Sequence, residues 1–218
     1  MPLALIIVDP QNDFGLPTGA LYVPDGENII PEVNALRHTL RHVLTDVIIT
    51  QDCHPANHVS FAENNPGSKL FETIALPDGT QQVMWPVHCV QDTPGGDFLA
   101  GLVIKESDVI VKKGRKRNVD SYSGFGSPDG KKESTGLHAF LHTKGITDVI
   151  VVGLAFDYCV SYTARDAAKL GYRTFILRSA TRGIAPDTIA KEESLLRGAG
   201  VTILESIGDV LKAVLTHV

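Results

Sequence analysis

Apolar residues gather in short blocks along this chain, and most blocks are nearly continuous rather than alternating. LALIIVD (3–9) is followed by DVIIT (46–50), DVIVK (108–112), DVIVVGL (148–154), RTFILR (173–178) and VTILES (201–206). Strands buried on both faces have this unbroken character, whereas half-exposed strands alternate. Between the blocks the period changes. Val33, Leu36, Leu40 and Val43 recur at spacings of three and four, as do Val160, Ala164 and Ala167, and Ile207, Val210 and Val214. That spacing marks one apolar face of a helix. Ser134 and Asp187 stand where N-caps belong, and Gly145 and Gly171 where helices stop. The alternation predicts an α/β fold: a doubly wound, mostly parallel six-stranded sheet with helices on both faces, because parallel strands need crossovers.

One stretch follows neither period. Residues 53–107 carry Pro55, Pro66, Gly67, Pro77, Gly79, Pro86, Pro94, Gly95 and Gly96 and little regular patterning. A loop-rich excursion of that length inside a compact domain is usually functional. The 218 residues are therefore read as one domain, 1–218, whose excursion builds a pocket. A chain of this size buries about 70% of its unfolded surface and needs no disulfide staples.

Charge and composition narrow the classes. The net charge of −5 argues against nucleic-acid binding, which needs a basic face; the basic run KKGRKR (112–117) is short and reads as a solvated segment. No block approaches the ~20 apolar residues that span a bilayer, so no membrane association is expected. The first block reaches Asp9 without a basic residue ahead of it and reads as a strand rather than a signal peptide. The three cysteines, Cys53, Cys89 and Cys159, each adjoin His, Asp or Tyr. Reduced thiols in a cytoplasmic protein fit that pattern better than a disulfide framework.

In open α/β sheets ligands bind beyond the carboxyl ends of the strands, and this chain places chemistry at four of them. Asp9 ends the first block, Asp52 and His54 follow the second, Lys112 and Lys113 end the third, and GLAFDYCV carries Cys159 after the fourth. A thiol at a helix N-terminus with a lysine nearby is expected to favour its thiolate, and an adjacent Asp can take its proton. D-x-H on an extended chain presents both side chains on one face, so Asp52 and His54, with His88 from the excursion, suit a borderline divalent metal. Cys53 would then point away, and Cys89 reads as supporting or core. His58 and Glu63 are further candidate ligands, with solvated side chains as the alternative reading. His38/His42 and His138/His142 are spaced i, i+4 on helix flanks and read as solvated pairs. Phe14, Trp85, Tyr122, Phe125 and Phe156 lie in loops near the strand ends, where they can line a pocket for a flat ring.

Taken in order, these segments resemble the nicotinamidase/pyrazinamidase branch of the isochorismatase-like cysteine hydrolases. The resemblance covers almost the whole chain: DPQNDF (9–14), DCHPANHVSF (52–61), WPVHCV (85–90), KG (113–114), YSGF (122–125) and VGLAFDYCV (152–160). It implies a triad of Asp9 as general base, Lys113 as the cation holding the thiolate, and Cys159 as nucleophile. It also implies an oxyanion hole from the N–H groups of Ala155 and Cys159, with a cis peptide at Leu154–Ala155. The ligand set it implies is Asp52, His54 and His88 around one divalent ion, Zn2+ or Fe2+ with Mn2+ as a third choice, binding the pyridine nitrogen of nicotinamide. Phe14, Leu21, Trp85 and Tyr122 would contact the ring. Two positions depart from the family: Cys53, often aromatic there, and Phe156, often small and polar, which is expected to alter access to Cys159. A homo-oligomer is left open.

Two other readings compete with this one. Metal-free relatives act on ureido or carbamoyl compounds, but have little use for Asp52, His54 and His88 together. A phosphoryl-accepting signalling module also places acids and a lysine at strand ends, but leaves Cys159, Trp85 and His88 without a role.

Overall fold

In the computed structural model, which describes residues 2–127 and 133–215, every apolar block becomes a strand. The elements in chain order are β1 (Leu3–Val8), α1 (Asn12–Gly15), α2 (Ile29–Thr39), β2 (Leu44–Asp52), β3 (Thr73–Ala75), β4 (Gln81–Val83) and β5 (Val109–Lys113). They continue with α3 (Leu137–Thr143), β6 (Asp148–Leu154), α4 (Ser161–Lys169), β7 (Arg173–Arg182), α5 (Pro186–Gly198), β8 (Thr202–Leu204) and α6 (Ile207–Leu215).

Six strands form one sheet in the order β5-β2-β1-β6-β7-β8, and every ladder in it is parallel. The chain therefore winds outward from β1 through β2 to β5, then returns to lay β6 against the other edge of β1. The strand order reverses between β1 and β6, and the crevice for a ligand opens at that point.

All residues of β1 and β6 are buried, as their unbroken apolar runs require. Alternate residues serve opposite faces. Leu3, Leu5 and Ile7 join Val33 and Leu36 of α2 and Val210 of α6. Ala4, Ile6 and Val8 join Leu141 of α3, Ala164 of α4 and Leu196 of α5. Each large aliphatic side chain so buried contributes about 1.5–3 kcal/mol of transfer free energy. No helix among the described residues is long and apolar enough to cross a membrane.

Several local expectations need correction. Ser134 is not an N-cap: it bridges Gly126, and Gly136 precedes α3. Asp187 lies inside the first turn of α5, because Pro186 takes the first helical position and Ala185 precedes it; a proline lacks the N–H that is orphaned there anyway. Val43 lies beyond α2 and is exposed. Gly145 (φ 65°) and Gly171 (φ 94°) do end α3 and α4 in the left-handed conformation. The excursion is not featureless. It holds the antiparallel hairpin β3/β4 and buries Gln82, Met84 and Trp85. His38, His42, His138 and His142 are exposed, with His138 Nδ1 2.8 Å from the Tyr172 hydroxyl.

Candidate active site

Asp9 follows β1 directly and takes a φ of 45°, a left-handed conformation uncommon outside glycine. Thr50 of β2 holds it there. Its hydroxyl accepts from Asp9 N–H at 3.1 Å and donates to Asp9 Oδ1 at 2.6 Å. Asp52 and Lys113, the last residues of β2 and β5, are register partners, which brings their side chains together. Lys113 Nζ donates to Asp52 Oδ1 at 2.6 Å and to Ser121 O at 3.1 Å. The same ammonium lies 2.9 Å from Asp9 Oδ2 and 3.4 Å from Cys159 Sγ. Lys113 is fully buried while Lys112 is exposed, so the choice between adjacent lysines falls to Lys113.

Cys159 does not open α4 itself. It sits in a π-type turn, Phe156–Val160, that precedes the helix, with Val160 N–H bonded to Ala155 O at 3.1 Å. Such turns recur at functional sites. The peptide between Leu154 and Ala155 is cis. Asp157 pins the turn to the start of α5: its carboxylate accepts from Ile184 N–H, Ala185 N–H and the Thr188 hydroxyl.

The electrostatics differ from the expectation of a standing thiolate. Burial pushes the Cys159 thiol well up; Lys113 opposes this, while Asp9 and Asp52 add to it. The resting group is a thiol and needs a base. Burial also raises Asp9, to about 6, against the pull of Lys113, which brings its proton affinity nearer to that of a working base. Burial works against the Asp52 carboxylate too, but Lys113 and then His54 outweigh it and hold Asp52 well below the usual range. Lys113 keeps its proton, because Asp52 and Asp9 more than offset the burial that opposes its charge.

Asp52, His54 and His88 each offer a ligand atom within 4.8 Å of the others. His54 Nδ1 faces Gly114 O at 2.9 Å and His88 Nδ1 faces Pro86 O at 2.7 Å. A carbonyl only accepts, so both rings carry a proton on Nδ1 and turn Nε2 toward the ligand position. That is the arrangement of metal-binding histidines whose far nitrogen is tied down, and with the Asp52 carboxylate it fits a divalent ion of the zinc or iron type. Burial opposes the charge on His54, but Asp52 outweighs it and favours a second proton on that ring, which an ion would displace. Burial and the neighbouring His54 push His88 down to about 4, which favours the neutral ligand form. Gly114 (φ 63°) is needed here, because a Cβ on it would lie 2.3 Å from His54 Cε1.

Phe14, Leu21, Trp85 and Tyr122 all line the pocket that also contains Asp52, His54, His88, Ala155 and Cys159. Phe125 instead stacks on Tyr172. Phe156 is fully buried in the core beneath Arg178, so it does not alter access to Cys159: it follows the cis peptide and faces the sheet. Cys53 is half-buried and outside the pocket, and Cys89 belongs to the core. Glu63 is exposed. His58 is not solvated: it is buried, lies tilted with its ring centre 4.3 Å from that of His54, and bonds Ser60 Oγ and Val119 O through its nitrogens. With His54 and Asp120 it forms a second group whose ligand atoms lie within 4.8 Å of one another.

The pocket also holds residues that pattern alone did not assign. Tyr158, next to Cys159, meets Trp85 edge-on at 5.0 Å, and Asp120 and Ile184 also line it. Gln11 clasps the Asp52 backbone, donating to Asp52 O at 2.9 Å and accepting Asp52 N–H at 2.8 Å. Asp13 accepts Cys89 N–H at 2.7 Å, which fixes the loop carrying His88. Their place in the DPQNDF segment was the available signal.

An acid, an ammonium and a thiol in contact at the switch point of a parallel sheet, beneath a pocket lined with aromatic rings, are the working parts of a cysteine hydrolase. The isochorismatase domain profile matches residues 3–206, and the chain belongs to that family. It is 44% identical to a nicotinamidase of Acinetobacter baylyi over 83% of this chain and 81% of that protein. The solved nicotinamidase/pyrazinamidase of Acinetobacter baumanii superposes with a TM-score of 0.88 at 40% identity, covering 96% of this chain and 98% of that one. The pyrazinamidase of Pyrococcus horikoshii in complex with zinc superposes with a TM-score of 0.78 at 34% identity, covering 94% and 99%.

Proposed function

We propose that this chain, acting as one hydrolase domain, converts nicotinamide to nicotinic acid and ammonia through a thioester on Cys159. The observation that carries the reading is Lys113 Nζ in contact with both Asp9 Oδ2, at 2.9 Å, and Cys159 Sγ, at 3.4 Å. The names of the similar proteins support the substrate, and pyrazinamide is an expected second one.

Asp9 takes the Cys159 proton as the sulfur attacks the carboxamide carbon, and Lys113 holds the resulting thiolate and the base in register. The carbonyl electrons move onto oxygen, which the N–H groups of Ala155 and Cys159 receive. Asp9 returns the proton to the departing nitrogen, which leaves as ammonia. Water, deprotonated by Asp9, then cleaves the thioester and restores the thiol. Phe14, Leu21, Trp85 and Tyr122 hold the ring flat and keep water out. Asp52, His54 and His88 would hold one divalent ion, Zn2+ or Fe2+ with Mn2+ also compatible, which when bound supplies a Lewis acid for the pyridine nitrogen. A thiol nucleophile that must stay reduced fits a cytoplasmic location.

The test is ammonia release from nicotinamide by metal-loaded protein, beside Cys159→Ala and a chelated sample. Loss in both controls is expected. Activity that survives chelation would reduce Asp52, His54 and His88 to structural roles, and no activity in the loaded protein would move the substrate to another amide.

A further inference from the structure

We infer that Thr50 is a positioning residue for the general base: its hydroxyl engages Asp9 Oδ1 and leaves Oδ2 as the oxygen that receives the Cys159 proton. The inference rests on the triad reading above.

A hydroxyl has one proton to give. The Thr50 oxygen already accepts Asp9 N–H at 3.1 Å, so its own proton is directed at Asp9 Oδ1, 2.6 Å away. A proton arriving on Oδ1 would set two O–H groups against each other and forfeit a buried hydrogen bond. Oδ2 has no hydroxyl set against it, and the three protons of the Lys113 ammonium beside it have other acceptors in Asp52 Oδ1, Ser121 O and Cys159 Sγ. Oδ2 is buried without an aligned hydrogen bond, with the Lys113 ammonium 2.9 Å away and the Cys159 sulfur in the same cluster of side-chain atoms.

The hydroxyl is also held in its direction. The Thr50 methyl packs over Gly124, where an added Cβ would lie 3.0 Å from Thr50 Cγ2. Gly124 is in turn fixed by its N–H bond to Thr163 Oγ1 at 2.9 Å. With the methyl against that wall, the oxygen faces Asp9. Thr50 is fully buried and an interior residue of β2, and its two bonds clamp both the carboxylate and the left-handed backbone of the base.

The test compares Thr50→Val, which keeps shape and loses the hydroxyl, with Thr50→Ser, which keeps the hydroxyl. Thr50→Ala provides a second deletion should the valine variant not fold. Two rates are read on metal-loaded protein: alkylation of Cys159 by iodoacetamide, resolved from Cys53 and Cys89 by peptide mass, and nicotinamide hydrolysis. Hydrogen bonds to charged groups are worth about 10–100-fold, so Thr50→Val should slow alkylation and kcat together by at least about tenfold with KM little changed. Thr50→Ser should restore both. In an Asp9→Asn background, Thr50→Val should have no further effect on alkylation. Wild-type alkylation in Thr50→Val, a serine variant as slow as the valine, or an added loss in the Asp9→Asn background would overturn the inference. If no variant hydrolyses nicotinamide but the alkylation pattern holds, the substrate reading fails and the role of Thr50 stands.

Discussion

Replacing Asp9 by Asn should remove the base and yet stabilise the fold above neutral pH. The Asp9 carboxyl titrates at about 6 against the ordinary 3.8, chiefly because burial strips the carboxylate of water. A carboxyl that binds its proton more tightly folded than unfolded helps the folded state most at pH below 3.8, and that help is lost as the pH rises through about 6. At about 1.36 kcal/mol per pH unit the gap amounts to about 3 kcal/mol at pH 8, shrinking to well under 1 kcal/mol near pH 4. Asparagine stays neutral at every pH and keeps the shape, with its oxygen accepting from the Thr50 hydroxyl as Asp9 Oδ1 does. Asp9→Asn should therefore exceed the wild type by up to about 3 kcal/mol at pH 8 and by well under 1 kcal/mol at pH 4. Urea unfolding at pH 4, 6 and 8, with ammonia release measured on the same samples, reads both effects. A variant less stable than wild type at pH 8, or an offset that ignores pH, would refute the charge argument. Retained hydrolysis would refute the base assignment.

Gly114→Ala should weaken metal binding by about 10–100-fold, since the new Cβ displaces the His54 ring and its 2.9 Å bond to Gly114 O; chelator competition reads this, and unchanged affinity would count against the proposed ligand. His88→Ala should abolish the rise in thermal midpoint that Zn2+ confers on the wild type, a gain worth about 2.7 kcal/mol at a hundredfold excess over Kd; a preserved rise would place the ion elsewhere. Asp157→Ala leaves the N–H donors of Ile184 and Ala185 unpartnered, while Thr188 keeps Ala185 O, and should cost about 2–4 kcal/mol of stability. Because Ile184 lines the pocket, KM should rise as well, and a stable variant with wild-type KM would remove Asp157 from the support of the site.

The sheet was legible because LALIIVD and DVIVVGL are too uniformly apolar for a half-exposed strand, and the site was legible because Asp9, Asp52, Lys113 and Cys159 fall at the ends of such runs. What stayed hidden depends on distant groups. Ser134 and Asp187 carry the right side chains for caps, yet the segment leading into α5 is held by Asp157 from another turn. Thr50 reads as one more β-branched strand former, and only the Asp9 backbone beside it gives its hydroxyl a task. His58 follows a loop pattern that suggests solvent, but the ring of His54 covers it. The thiol was misread for the same reason. A helix start and a lysine are visible in sequence, whereas the burial that dominates Cys159, and the second carboxylate nearby, are not.

One ammonium between two buried carboxylates explains how the roles divide. Lys113 meets Asp52 at 2.6 Å and Asp9 at 2.9 Å, and a single positive charge cannot fully compensate both. The closer carboxylate, which also faces His54 Nε2 at 3.6 Å, stays ionised well below the usual range, and Asp9 is left with the raised proton affinity. Environments that push paired acids apart separate a permanent anion from a working base. Asp52, the anion, is suited to a cation, while Asp9, the proposed base, sits in the same cluster as the thiol. The pairing of Asp52 with Lys113 across β2 and β5 thus sets the proton affinity of the residue that follows β1, and the proposed metal ligands and the proposed triad are two halves of one charge arrangement.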